Sequence, residues 1–216
     1  VVISTWQSVY KMPKKYFEQF GCVIGDEAHM FKAKSLTGIM TKLHQCKYRF
    51  GLTGTLDGTQ THKLVLEGLF GASKKVVSTK DLIDKKTLAN LKIKCITLKH
   101  PNIRQKMTYA EELDYIVSKE SRNKFILDLC NTLNGNTLCL FQLVEKHGKV
   151  LYDGMKGSEN VYFVYGGTDT EQRERIRGLV EGHRKSTTIA SYGTFSTGIN
   201  IRNINNIVLA SPSKSK

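Results

Sequence analysis

The 216 residues contain no apolar run near the roughly 18 needed to cross a bilayer, and no signal-peptide pattern opens them. Neither a membrane-spanning helix nor a secretory leader is therefore expected. Cysteine occurs five times, as Cys22, Cys46, Cys95, Cys130 and Cys139, with no Cys-x-x-Cys pair and no regular framework. Thiols set in apolar runs act as small hydrophobes, which fits a reduced, cytoplasmic setting rather than a disulfide scaffold. There is also no glycine-rich loop ending in Gly-Lys-Ser or Gly-Lys-Thr, because Gly148-Lys149 runs into Val150 and lacks the upstream glycine. Acidic side chains are scarce beside basic ones, 19 against 33, giving a net charge of +14. That excess favours a polyanionic partner, since displaced counterions drive binding, but charge alone does not separate DNA, RNA and a membrane surface. With 40% hydrophobic and 24% charged residues the chain is not a disordered one. Its length fits one large domain or two of modest size.

What is present centres on Cys22-Val23-Ile24-Gly25-Asp26-Glu27-Ala28-His29. A short apolar run predicts a buried parallel strand, and two carboxylates follow at its C-terminal end, where an open α/β sheet binds ligands. An Asp there can hold Mg²⁺, usually through water, and a neighbouring Glu can polarise the water that attacks a γ-phosphate. His29, one residue past the small Ala28, is placed to sense that chemistry. The same pair also suits Asp26 as a helix cap with Glu27 in the first turn. A second apolar strand, Tyr48-Arg49-Phe50-Gly51-Leu52, runs into Thr53-Gly54-Thr55, whose hydroxyls can hydrogen-bond to His29 or to a neighbouring domain. Taken alone, it is an ordinary glycine turn after a strand.

Along the chain, strands are expected at Val1–Ile3, Leu91–Leu98, Thr137–Phe141, Val161–Val164, Thr187–Ala190 and Ile207–Ala210. Lysines and aromatics interleaved from Lys11 to Phe20 suit a single-strand surface, but an amphipathic helix with a solvated lysine face is the preferred reading. Helices are further expected over Phe31–Cys46, Leu64–Phe70, Ser121–Leu133 and from near Asp169, with a capping box at Thr108-Tyr109-Ala110-Glu111. His147, near a strand end, is assigned a surface role in preference to a backbone contact with DNA. His44 and His62 have no second ligand at helical spacing, so they are not metal ligands. Strand and helix alternate through two blocks, the pattern of parallel sheets covered by helices, with the division between about Lys80 and Lys106.

Asp-Glu-Ala-His followed by Thr-Gly-Thr resembles motifs II and III of superfamily 2 nucleic-acid helicases. Two further words strengthen the likeness: Ser4-Thr5-Trp6-Gln7-Ser8, and Ala190-Ser191-Tyr192-Gly193-Thr194-Phe195-Ser196-Thr197-Gly198-Ile199-Asn200, which is similar to motif V. Their order and spacing resemble the phage UvsW-like, XPB-like branch of DEAH-box-type DNA helicases. The resemblance implies two RecA-like α/β lobes with parallel sheets, residues 1–88 and 89–216, each truncated, with ATP in the cleft between them. It implies Mg²⁺ on Asp26, water activation by Glu27, and coupling through His29, Thr53, Gly54 and Thr55. Gly198 and Asn200 would face the nucleotide, Asn200 standing where many relatives have Asp. Thr5, Gln7, Ser191, Thr194 and Ser196 would contact the nucleic-acid backbone.

The resemblance further implies a monomer that unwinds or branch-migrates DNA in recombination, stalled-fork and RNA–DNA hybrid intermediates. The phosphate loop of such a motor would lie upstream of Val1, and its Gln-x-x-Gly-Arg-x-x-Arg segment beyond Lys216. The 216 residues alone are therefore expected to hydrolyse ATP negligibly. An RNA helicase with the same motifs, or a non-catalytic nucleic-acid binding or annealing module, are the alternatives.

Overall fold

Two apolar runs that each end in glycine pair as parallel strands, β1 (Cys22–Gly25) and β2 (Tyr48–Gly51), with Cys22 opposite Tyr48 and Gly25 opposite Gly51. The computed structural model describes residues 1–31, 33–54, 60–99, 106–195 and 201–212. Thr55, Ser196, Gly198 and Asn200 lie outside the described residues, as does the side chain of His62. The chain forms two compact units, Val1–Lys94 and Cys95–Lys216.

The first unit carries helices α1 (Trp6–Val9), α2 (Lys14–Phe17), α3 (Lys34–Lys42), α4 (Gln60–Phe70) and α5 (Thr79–Asp84), and Val23, on one face of the two-stranded sheet, packs into the core that α2, α3 and α4 build. Apolar residues at helical spacing on α3, Leu36, Ile39 and Met40, meet Phe17, Phe31, Leu43, Cys46 and Leu66 in its core. Gly71 takes φ +89° just past α4, and its N–H donates to the Glu67 carbonyl, so a left-handed residue closes that helix. On the other face of the sheet, Ile24, Tyr48, Phe50 and Leu52 are all more than half exposed. The expectation of a buried β1 thus holds on one face only.

Three local expectations fail in this unit or at its end, for two physical reasons. Val1–Ile3 and Leu91–Leu98 have strand-like composition but pair with no strand among the described residues, and a lone strand lacks the ladder that stabilises it. Lys11–Phe20 is not one helix, because Pro13 stands at the N-cap of α2 and its ring cannot continue a helix through that point.

The second unit carries α6 (Tyr109–Ser118), α7 (Glu120–Thr132), β3 (Asn136–Phe141), a π-helical turn at Val144–Gly148, α8 (Lys149–Gly154), β4 (Val161–Val164), α9 (Thr170–Gly182), β5 (Ser186–Ser191), α10 (Tyr192–Phe195) and β6 (Ile204–Leu209). The strands form an all-parallel sheet in the order β4-β5-β3-β6. Central strand β3 is buried along its whole length, as strands covered on both faces are. Ile126, Cys130, Leu151 and Met155 pack on one side, and Ile176 and Val180 of α9 on the other. The capping box forms as read: Thr108 Oγ1 accepts from Glu111 N, and the Glu111 carboxylate accepts from Thr108 N at 2.7 Å. The five cysteines are free thiols; Cys46, Cys130 and Cys139 are buried, Cys22 and Cys95 exposed. Among the described residues no helix is long and apolar enough to cross a membrane.

Candidate functional site

The carboxylate pair leaves the C-terminal end of β1 in a tight turn anchored to β2. Leu52 N donates to the Gly25 carbonyl at 2.9 Å, and Ala28 N donates to the Leu52 carbonyl at 2.8 Å. Close packing beneath explains the glycines here. A Cβ on Gly25 would come 2.8 Å from Phe31 Cζ, and one on Gly51 would come 2.9 Å from the Phe70 ring and 3.0 Å from Ala28 Cβ. Phe31 and Phe70 meet edge to face at 5.1 Å, forming a rigid floor under the turn.

Glu27 occupies the left-handed region at φ 48°, ψ 48°, a conformation that costs a non-glycine residue roughly 1–3 kcal/mol and recurs at functional sites. Its N–H donates to Asp26 Oδ1 at 2.9 Å, so Asp26 stabilises the turn without capping a helix. The single helical turn that follows, Ala28–Met30, has no side-chain cap, which removes the helix-cap alternative for the pair. Glu27 Oε2 lies 3.1 Å from His29 Nδ1, and Thr53 Oγ1 lies 3.0 Å from the same nitrogen. The His29 and Glu27 side chains are 30% and 57% exposed, so this contact adds about 1 kcal/mol or less to stability and acts mainly to orient. As N–H, Nδ1 donates to the Glu27 carboxylate; as a bare nitrogen it accepts the Thr53 hydroxyl.

Asp26 and Glu27 are exposed hard-oxygen donors, and among the described residues no group of three or more His, Cys, Asp or Glu could hold a metal unaided. One carboxylate completed by water and phosphate oxygens is the ligand set Mg²⁺ prefers, so the residues present fit that ion. Asp26 would hold it.

Elsewhere the structure places the remaining expected residues as follows. Thr5 Oγ1 pairs with Ser8 Oγ at 3.0 Å on the surface, and Gln7 is exposed beside it. Gly54 is exposed, with open space where a Cβ would stand. Ser191 Oγ and Thr194 Oγ1 pair at 2.6 Å where β5 ends, with Thr194 buried. Glu27, His29 and Thr53 are brought together, while Thr5 pairs locally with Ser8 and Ser191 with Thr194.

The second unit also contains a buried polar network that sequence reasoning missed. His147 is fully buried, contrary to its assigned surface role. Its Nδ1 lies 2.8 Å from Ser211 Oγ, and Nε2 lies 3.2 Å from Asn123 Oδ1. Gln142 N donates to Ser211 Oγ, Asn123 Nδ2 donates to the Val117 carbonyl, Tyr192 OH donates to the Ser211 carbonyl, and Arg122 Nη2 donates to the Ala210 carbonyl. Burial holds the His147 imidazole down at about 4, with the Arg122 guanidinium adding to the effect. The ring is therefore neutral, and a π-helical turn carries it inward. No sequence signal marks it, because its partners lie 24 and 64 residues away.

The chain is similar to several known proteins. Residues 1–58 match the family model described as the res subunit of type III restriction enzymes. The chain is 38% identical over 225 residues to the ATP-dependent DNA helicase uvsW of Enterobacteria phage T4, covering all of this chain and 44% of that protein. It thus spans less than half the length of that relative. The crystal structure of T4 UvsW aligns over 98% of this chain and 42% of that one at 33% identity, with a TM-score of 0.47. S. cerevisiae Dbp5, solved bound to RNA and ADP BeF3, aligns over 100% of this chain and 51% of that one at 14% identity, with a TM-score of 0.57. The latter likeness shows the fold, a RecA-like α/β arrangement with parallel sheets.

Proposed function

For a chain that belongs to the UvsW-like superfamily 2 helicases, we propose that the intact protein is an ATP-dependent DNA helicase or translocase that unwinds or branch-migrates DNA. Recombination, stalled-fork and RNA–DNA hybrid intermediates are its substrates in this reading. The observation that carries it is the carboxylate turn at the end of β1, joined through His29 to Thr53 at the end of β2. The two compact units serve as the two lobes, working as a monomer in the cytoplasm. The open apolar face of β1 and β2 suits a lobe completed by a longer chain.

Bound Mg²⁺–ATP supplies the transferable phosphoryl group and a cation that offsets its charge. Asp26 would hold the ion, and Glu27 would orient the attacking water and take its proton, from a backbone pre-set by its left-handed turn. His29 would respond to the charge on Glu27 by changing its hydrogen bond with the Thr53 hydroxyl, with Gly54 and Thr55 continuing the link. Gly198 and Asn200 are assigned to the nucleotide, and Thr5, Gln7, Ser191, Thr194 and Ser196 to phosphates, which carry no sequence information. No Gly-Lys-Ser or Gly-Lys-Thr word occurs in these 216 residues, so by themselves they hydrolyse ATP negligibly.

Strand displacement by the intact protein on matched DNA, RNA and hybrid duplexes tests the reading. DNA and branched DNA are unwound with ATP in the account given. Unwinding confined to RNA selects the RNA helicase instead, and binding without displacement selects the non-catalytic module.

A further inference from the structure

Trp6 is the sole tryptophan of the chain and remains 39% exposed on α1. Tryptophan is seldom fully buried, so the exposure alone says little; what stands around this indole gives it a use. Tyr10 meets Trp6 edge-on, with ring centroids 5.7 Å apart and planes at 63°, which holds the indole from one side. Lys11 Nζ lies 5.6 Å from the Tyr10 ring centroid. Lys11 and Met12 are exposed in the turn before Pro13, Lys14 and Lys15 are exposed at the start of α2, and Glu18 is the only acidic residue in the first 25.

This surface is built on a fixed support. Lys42 of α3 donates to the carbonyls of Tyr10 at 2.7 Å and Met12 at 2.8 Å, and its Nζ sits 5.8 Å from the ring of buried Phe17. One lysine thus ties the turn to the core, while three others face solvent. Thr5 and Gln7, the residues assigned to the phosphate backbone, flank the indole directly.

We propose that Trp6, backed by Tyr10 and flanked by Lys11, is a stacking platform for one unpaired base of a single-stranded polynucleotide. This rests on the nucleic-acid reading above and extends it from phosphate to base. An aromatic face accepts any base, and neighbouring lysines neutralise the adjoining phosphates, so the contact is sequence-tolerant and salt-sensitive. DNA and RNA strands share the chemistry.

The single indole allows a direct test in the full 216-residue chain. A short oligothymidylate, its ribo counterpart and an abasic deoxyribose-phosphate strand of equal length are titrated at low salt. Tryptophan emission and the anisotropy of the end-labelled strand are followed together. Quenching by base-bearing strands, with binding but no quenching by the abasic strand, is the expected result; the strand type that quenches identifies the source. Trp6→Ala weakens the base-bearing strand by about 5- to 150-fold, and Trp6→Phe recovers most of the loss. Strands that bind without changing the emission, and equally well to Trp6→Ala, overturn the stacking platform and leave the nucleic-acid reading standing. Failure of every strand to bind overturns both.

Discussion

His29 Nδ1 and Thr53 Oγ1 lie 3.0 Å apart, joining the turn after β1 to the turn after β2 across 24 residues of chain. The same nitrogen is 3.1 Å from the Glu27 carboxylate, so a change of charge at Glu27 alters which partner the imidazole serves. Thr53→Val keeps the shape of the side chain and removes its hydroxyl. In the intact protein, nucleic-acid stimulation of ATP turnover then falls about 5- to 150-fold, the usual range of coupling energies, while unstimulated turnover persists. Steady-state ATPase with and without single-stranded DNA checks this; unchanged stimulation removes Thr53 from the link.

The strained backbone at Glu27 makes a separate prediction about stability. In regular structure glycine is less stable than alanine, but at φ 48° the order reverses because the Cβ is what the conformation penalises. Glu27→Gly is therefore more stable than Glu27→Ala by about 1 kcal/mol in urea unfolding of the first unit. An Ala variant equal to or more stable than the Gly variant means the turn is not strained as described.

Buried His147 sets a pH dependence in the second unit. Its folded value of about 4 lies below the ordinary 6.5, so between those values the unfolded chain binds a proton that the folded chain does not. The contribution is fully present above about pH 6.5 and is lost as pH falls towards 4, on the order of 3 kcal/mol in all. Urea midpoints between pH 4 and 7 for the parent and His147→Gln test it. The parent loses stability on acidification and the variant loses less; parallel profiles contradict the assignment.

Much of this arrangement was legible in the residues. Apolar runs such as Cys22–Gly25 and Thr137–Phe141 end at glycine or polar turns, and Thr108 with Glu111 spells its own cap, because those signals are local. What escaped reading was non-local or conformational. Val1–Ile3 and Leu91–Leu98 have the composition of strands, but strand formation needs a neighbour that composition does not reveal. The burial of His147 depends on Asn123 and Ser211, far along the chain. The left-handed Glu27 carries no glycine or asparagine to announce it. Pro13 was a local signal, and it outweighs the helical spacing of the residues around it.

The most direct test of the account is nucleic-acid-stimulated ATP turnover by the intact protein carrying Glu27→Gln, measured beside its affinity for nucleotide. Removing the general base while keeping its size leaves nucleotide binding within about twofold and lowers turnover by about 10² to 10⁴. Turnover that survives the substitution contradicts the role assigned to the carboxylate turn.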